Sequence, residues 1–367
     1  MKATEVLESK FGVSKTYEDA PDPDLRVAGF GNVALPLTEE KARELVQVCH
    51  QAPYGKKEQT LVDTSVRDTW EIDADRVLFK NPLWQKWLKS VVVNTVAKQL
   101  GVASISGWEL YKMLLYQEGS HFLPHQDTEK SPGMVATIIV VLPSAFEGGE
   151  VHLSHNGTKK ILDVATSSST ATSVLAWYSD VRHEVKPITS GYRLALSYNL
   201  MIPIGVPQPD VAGNSKMMAA VRHVLLSWKQ SFGPQIPNKL ACVLDHEYSL
   251  NGLQSGAFKG DDIRTVEVLW KLAQECGFKL HFAKAEYIAV RNAIHTPNGD
   301  CDAGEDISTE INLHNVLDAD AKPVKLVGSA SYFDGDDFFP RDLDDDDPDD
   351  EQYEEYTGNV SDLCSTF

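Results

Sequence analysis

The stretch YQEGSHFLPHQD, from Tyr116 to Asp127, decides how the rest of this 367-residue chain is read. It ends in His125-Gln126-Asp127, an H-x-D triplet. In extended backbone, residues two apart point to the same side. His125 and Asp127 can therefore offer an imidazole and a carboxylate to one point in space. A third ligand from a distant strand would complete one face of an octahedron and leave the other open, an arrangement suited to non-haem Fe(II). The triplet alone is weak, because most such triplets are surface residues. His121 shares the parity of the pair, so facing does not set it aside, but it is not counted among the ligands.

Outward from this stretch the sequence reads as short strands over 111–116, 135–142, 150–154, 160–164, 173–178 and 192–200. Turn signals divide them: Gly148-Gly149, Asn156-Gly157 (the strongest two-residue hairpin signal) and Thr189-Ser190-Gly191. Many short strands punctuated by turns point to a sandwich or barrel of the jelly-roll kind. His155, next to the Asn156-Gly157 turn, is expected to be solvated. Two helices precede the strands. Thr38 caps the first, whose Ala42, Leu45, Val46 and Cys49 recur at helical spacing. The second opens with Asn81 as cap and Pro82 in its first turn and stops at Gly101. Arg67, Trp70 and the polar stretch 55–64 read equally as a lid over the site or as a packed tryptophan beside a surface arginine.

The expected fold class is α+β, with a double-stranded β-helix (jelly-roll) core, helices against it, and a C-terminal α/β appendage. Residues 1–26 read as a loose, proline-punctuated leader, 27–201 as the domain that carries the triplet with its core at 108–200, and 202–213 as a linker. Residues 214–333 carry helical and strand periodicity without evident chemistry, and 334–367 form an acidic tail expected to be disordered. The net charge of −19 is mostly local: 13 acidic residues and one Arg between Asp334 and Glu355 contribute −12, leaving −7 elsewhere. No basic stripe offers itself to duplex nucleic acid, whose phosphates need clustered Lys and Arg. No run approaches eighteen apolar residues, so no membrane span is expected. The N-terminus is charged and lacks the apolar core of a cleaved signal. Five scattered cysteines without a CxxC pair argue for a reducing, intracellular compartment, cytoplasmic or nuclear.

The context of the triplet is completed downstream by Val181-Arg182-His183-Glu184-Val185-Lys186-Pro187, then Thr189-Ser190-Gly191-Tyr192-Arg193. A strand, a glycine turn and a return strand would set Arg193 across a hairpin from His183. If Arg193 faces inward, so do Ala195 and Ser197, while Leu194, Leu196 and Tyr198 face the helices. An arginine among apolar residues calls for an anion, since an unpaired buried charge is costly; an arginine at a strand end with its head in water is the alternative.

Four marks follow in order: a Tyr nine residues before an H-x-D, Gly148-Gly149-Glu150, a His in an H-x-V-x-P context, and a basic residue ten positions later. With these marks the segment 111–200 resembles the prolyl-4-hydroxylase-like branch of the Fe(II)/2-oxoglutarate dioxygenases. The resemblance implies that His125, Asp127 and His183 bind Fe(II). It implies that Arg193 pairs with the distal carboxylate of 2-oxoglutarate, with hydroxyl hydrogen bonds from Tyr116 and Ser197. O2 is then the oxidant, succinate and CO2 the co-products, ascorbate a reductant, and hydroxylation the outcome. Proline in a protein is the first substrate to consider, and another protein side chain or a small molecule the next. Collagen-type enzymes carry lysine where Arg193 stands, which puts a collagen-like substrate in doubt. The nucleic-acid-repair branch expects a second arginine six residues on, where this chain has Asn199. The rival reading is a catalytically silent metal-binding jelly-roll scaffold that acts through its second domain and acidic tail.

Overall fold

The computed structural model describes residues 11–56, 59–102, 104–203, 215–231, 233, 236, 238–295, 301–325, 338–339, 350–352 and 361–366. The chain divides into two compact units, residues 1–204 and 205–367. The division falls in the proline-rich stretch 202–213, of which 204–213 lie outside the described residues.

Two antiparallel sheets dominate the first unit among its described residues. The larger orders β1 (Gly12–Tyr17), β16 (Thr172–Tyr178), β12 (Met134–Leu142), β19 (Arg193–Met201), β10 (Gly107–Tyr116), β8 (Trp70–Asp73) and β4 (His50–Gln51). The smaller orders β15 (Thr158–Leu162), β14 (Val151–His155), β17 (Arg182–Val185), β11 (His121–His125) and β7 (Arg67–Asp68). Short pairings finish the unit: β2 (Leu25–Val27) between β3 (Gly31–Val33) and β9 (Val77–Phe79), β5 (Tyr54–Lys56) with β6 (Gln59–Leu61), and β13 (Phe146–Gly148) with β18 (Ile188–Gly191).

One hydrophobic core joins both sheets to the helices. β12 and β16 are buried along their whole length, which is why they read as continuous apolar runs instead of alternating ones. Helix α1 (Glu39–Val46) is capped by Thr38 and buries Ala42 and Leu45. The second helical segment runs as α2 (Pro82–Trp87), a π-helical stretch Leu88–Val93, and α3 (Asn94–Leu100). Asn81 caps its start by accepting from the Leu83 N–H at 3.0 Å, and Gly101 ends it in the left-handed region at φ 80°. Tyr178, on the outer face of β16, donates to the Leu100 carbonyl and so ties the large sheet to the end of α3. Between β14 and β15, Asn156 and Gly157 both take positive φ, 45° and 69°, the geometry of the tight hairpin turn that the dipeptide predicts.

Three expectations are corrected here. Residues 11–17 and 25–27 are not a loose leader: β1 zips onto β16 from Gly12↔Trp177 to Tyr17↔Thr172, and Phe11, Val13 and Tyr17 enter the core. His155 is buried, because the alternation of β14 sends Val151, Leu153 and His155 inward, and its Nε2 lies 3.3 Å from Asp180 Oδ2. Arg193 does not lie across a hairpin from His183. The chain leaves the small sheet after β17, pairs β18 with β13, and enters the large sheet at β19.

The second unit holds α4 (Ser215–Gln230), β20 (Ala241–Cys242), α5 (Leu250–Ser255) and α6 (Asp262–Cys276), followed by the long hairpin β21 (His281–His295) and β22 (Cys301–Asp318). Met218, Val268 and Leu272 join α4 to α6, and Gly277 ends α6 in the left-handed region. Buried Asp262 accepts from the N–H groups of Asp245 and His246 and from the Tyr248 hydroxyl, which fixes the loop before α6. Most of the acidic stretch lies outside the described residues. Its described pieces are β23 (Phe338–Phe339), parallel to β20, and β24 (Asp350–Gln352), paired with β25 (Ser361–Thr366) beside β21. Among the described residues no helix is long and apolar enough to cross a membrane.

Trp84 tests the join of helix and sheet. It is fully buried, with ring centroids of Trp87 at 5.0 Å and Phe79 at 6.0 Å. Trp84→Ala should cost about 3–5 kcal/mol of first-unit stability. Chemical denaturation followed by tryptophan fluorescence and circular dichroism measures this, and an unshifted midpoint would contradict the assignment of α2 to the core.

Candidate metal centre

The ligand set is assembled by strand pairing. β11 and β17 are neighbours, and His125 and His183 are direct cross-strand partners despite their distance in sequence. Their ring centroids are 4.2 Å apart. Asp127 lies two residues past the end of β11, anchored where its N–H donates to the Ser179 carbonyl at 3.0 Å. The ligand atoms of His125, Asp127 and His183 all lie within 4.8 Å of one another. The nearest imidazole–carboxylate contact is His183 Nε2 to Asp127 Oδ2 at 3.8 Å.

Each imidazole is oriented by its other nitrogen. His125 Nδ1 lies 2.8 Å from the Leu123 carbonyl and His183 Nδ1 2.9 Å from the Val181 carbonyl. A carbonyl can only accept, so Nδ1 carries the proton and the Nε2 lone pairs are left for a metal. Burial, then the neighbouring His183, holds His125 well below the usual histidine range, at about 3, so its imidazole is neutral near pH 7. For Asp127 burial works toward protonation. It is outweighed by the two imidazoles and by hydrogen bonds from Thr137 and Trp177, so the carboxyl stays below its ordinary range.

Those two hydrogen bonds come from a cross-strand pair of the large sheet, Thr137↔Trp177. Thr137 Oγ1 donates to Asp127 Oδ2 at 2.6 Å and Trp177 Nε1 to the same oxygen at 3.2 Å. Both donors settle on Oδ2 and hold the carboxylate in place beside the two imidazoles. Thr137 and Trp177 are functional residues that the motif reading passed over. The signal was present: Thr137 is the one hydroxyl in MVATIIVVL, a strand otherwise without polar side chains.

The arginine lies on the same interior face. Asn199 pairs with Thr137, Ser197 with Ile139, and Ala195 with Val141, so β19 runs from the level of the metal ligands back to Arg193 at its start. Arg193 is 2% exposed. Nη1 donates to the Gly149 carbonyl at 3.2 Å, and the guanidinium stands 5.4 Å from the Tyr116 ring and 5.9 Å from the Phe146 ring. Tyr116 is its cross-strand partner on β10. Nε is buried without a partner, and among the described residues no carboxylate pairs with this guanidinium. Burial lowers the Arg193 pKa, yet a guanidinium remains charged. Gly149 makes this contact by close approach: a Cβ there would stand 2.4 Å from the Ile188 side chain, and its φ of +68° disfavours any other residue. Ser197 is buried on the same face of β19 as Arg193 and pairs with Ile139, between the level of Arg193 and that of Thr137.

The remaining histidines stand apart from the ligand set. A register shift between Phe122 and His125 breaks the parity that His121 shares with the pair. His121 instead faces the carbonyls of Gly119 and Ser65, at 3.0 and 3.2 Å. His152 sits between Glu150 and Glu184. Asn199 is buried and donates to Glu109 at 3.2 Å, so the position where an arginine would mark the repair branch is taken up by a structural hydrogen bond.

Two imidazoles and a carboxylate with ligand atoms within 4.8 Å of one another, on an interior that also holds the buried Arg193, form a donor set suited to a non-haem metal. Residues 111–201 match the family model of the 2OG-Fe(II) oxygenase superfamily. The match spans about a quarter of the chain and supports an Fe(II)- and 2-oxoglutarate-dependent dioxygenase in that segment. Similar solved structures include a prolyl-4-hydroxylase of Pseudomonas putida, 16% identical over 52% of this chain and 92% of that one, TM-score 0.36. Another is a prolyl hydroxylase from Trichoplax adhaerens in complex with a hypoxia inducible factor oxygen degradation domain peptide fragment, 20% identical over 44% and 76%, TM-score 0.32. A third is a viral collagen prolyl hydroxylase from Paramecium Bursaria Chlorella virus-1, 14% identical over 54% and 98%, TM-score 0.26. No curated protein matches the chain.

Substitutions should separate ligands from their supports. His183→Ala should abolish turnover and metal binding with the fold kept. Thr137→Val, which removes one anchor of Asp127, should weaken Fe(II) binding about tenfold. Anaerobic Fe(II) titration reads both, and full activity in His183→Ala would refute its assignment as a ligand.

Proposed function

We propose that the first unit hydroxylates a carbon of its substrate, a prolyl or other protein side chain or a small molecule, at the expense of 2-oxoglutarate. The two sheets would form the double-stranded β-helix of this superfamily, with the metal between them. The observation that carries the reading is Arg193: a buried guanidinium, short of a partner at Nε, on the same interior face as the residues that orient Asp127. A catalytically silent scaffold has no use for that charge.

His125, Asp127 and His183 would hold Fe(II) through two Nε2 atoms and one carboxylate oxygen. Iron and 2-oxoglutarate together supply O2 activation, giving succinate, CO2 and a hydroxylated product. Arg193 would bind the distal carboxylate of the co-substrate in a two-point contact. Tyr116 would add its phenol to the same group, and Ser197 would line the path between anchor and metal. The apolar walls of β12 and β16 exclude water and strengthen that charged contact. The prolyl-hydroxylase-like branch is favoured by the ordered pattern of Tyr116, His125, Asp127, His183 and Arg193, and by Asn199 in place of the second arginine of the repair branch.

The direct test is succinate release by the purified chain with Fe(II), 2-oxoglutarate, O2 and ascorbate, first alone and then with peptide and metabolite panels. Arg193→Lys keeps the charge but loses the planar fork, so about 1–3 kcal/mol of contact should go. That corresponds to roughly a 5- to 150-fold rise in KM for 2-oxoglutarate. Arg193→Leu should nearly abolish turnover while Fe(II) still binds. A normal 2-oxoglutarate dependence in Arg193→Leu would move the anchor elsewhere.

A further inference from the structure

The segment between β4 and β8 reaches the candidate metal centre through one arginine. β7 is the edge strand of the small sheet, and Arg67 is the cross-strand partner of Phe122 on β11. The Arg67 guanidinium stands 4.7 Å from the Phe122 ring centroid. The Phe122 ring in turn stacks on the His125 imidazole, with centroids 3.4 Å apart and planes 23° from parallel. Arg67 is itself strapped in place: Nη1 donates to the Pro53 carbonyl, and Nη2 lies 3.8 Å from buried Glu71. Glu71 also receives Lys112 Nζ at 2.8 Å. Two further bonds hold the same corner, the Leu123 N–H to the Val66 carbonyl at 2.9 Å and Gln51 Nε2 to Asp68 Oδ1 at 2.9 Å.

We propose that Arg67 and Phe122 are positioning residues for the metal ligand His125, and that through them the base of the hairpin formed by β5 and β6 is coupled to the metal centre. The physical need is clear from the ligand itself. The hydrogen bond from His125 Nδ1 to the Leu123 carbonyl fixes the tautomer and one edge of the ring, and the tilt about that bond depends on what packs against the ring face. A face-to-face aromatic neighbour removes that freedom. Phe122 sits at a register irregularity and needs support of its own, which a cation held over its ring provides. Outer residues that orient a ligating histidine govern metal affinity as the ligands do, with losses of about 10- to 100-fold on removal. The proposal rests on His125 being a ligand, and the test separates the two.

The probe is Co(II), added anaerobically to the intact chain without co-substrate and read by titration and by its visible spectrum. The unaltered chain should bind it, and His183→Ala should not; failure of the unaltered chain to bind would overturn the ligand set itself. Arg67→Ala should weaken Co(II) binding about tenfold and alter the spectrum. Arg67→Lys, which keeps a cation over the ring, should recover most of the affinity. Phe122→Leu tests the same link if Arg67→Ala does not fold, and should show the same loss. Wild-type Co(II) affinity and spectrum in both Arg67→Ala and Phe122→Leu would overturn the positioning role while leaving the ligand assignment intact. Loss in Arg67→Lys equal to that in Arg67→Ala would also overturn it, since it would show that only the strap to Pro53 matters.

Discussion

The pairing register of β11 with β17 is the constraint on which the site depends. A slip of one residue would turn His183 to the other face and separate it from His125. Several bonds outside the ladder hold the register. The N–H of Gly119 donates to the Ile188 carbonyl and that of Ile188 to the Ser120 carbonyl, at 2.9 and 3.0 Å, on one side of the pair. On the other side the Asp127 N–H is tied to Ser179. Phe122↔Val185 closes the stretch with an apolar cross-strand contact. The metal centre is thus fixed by backbone before any metal contributes.

Two buried charges of opposite sign show how differently this unit treats ions. Glu71 is 3% exposed and surrounded by Lys112, His50 and Arg67, with Lys112 reaching on to Asp73. That charge is matched within the protein, and the cluster reads as structural. Arg193 is as deeply buried and has a carbonyl and two ring faces for company. A carbonyl offers partial charge only, so among the described residues the Arg193 charge is left without a carboxylate to balance it. The contrast, more than burial alone, separates a binding residue from a stabilising one.

Much of this was legible in the sequence because it is written in short-range chemistry. Strand positions follow from β-branched runs and the Asn156-Gly157 turn, and the second helical segment from Asn81, Pro82 and Gly101. Period two offers His125 and Asp127 as a pair, and a charge among apolar residues singles out Arg193; the structure brings the pair to His183 and buries the arginine. What failed was long-range. The route from β17 to β19 looks like a hairpin locally, but β18 pairs with β13, some forty residues back. His155 was misjudged because a neighbouring turn says nothing about which face a strand's last residue takes. Thr137 and Trp177 gain their role only from a partner on another segment, which no local pattern encodes.

The first strand has a practical bearing on where the catalytic unit starts. β1 covers one edge of the large sheet, and the strand it covers, β16, is buried throughout and carries Trp177. A version begun at residue 27, after the proline-rich turn, would lay that edge bare. An unprotected, apolar β-edge invites chain-to-chain pairing, and here it would also loosen the strand whose indole steadies Asp127. The first unit therefore needs the chain from Phe11 onward, and a poorly behaved shortened version would reflect its missing edge, with no fault in the residues further along the chain.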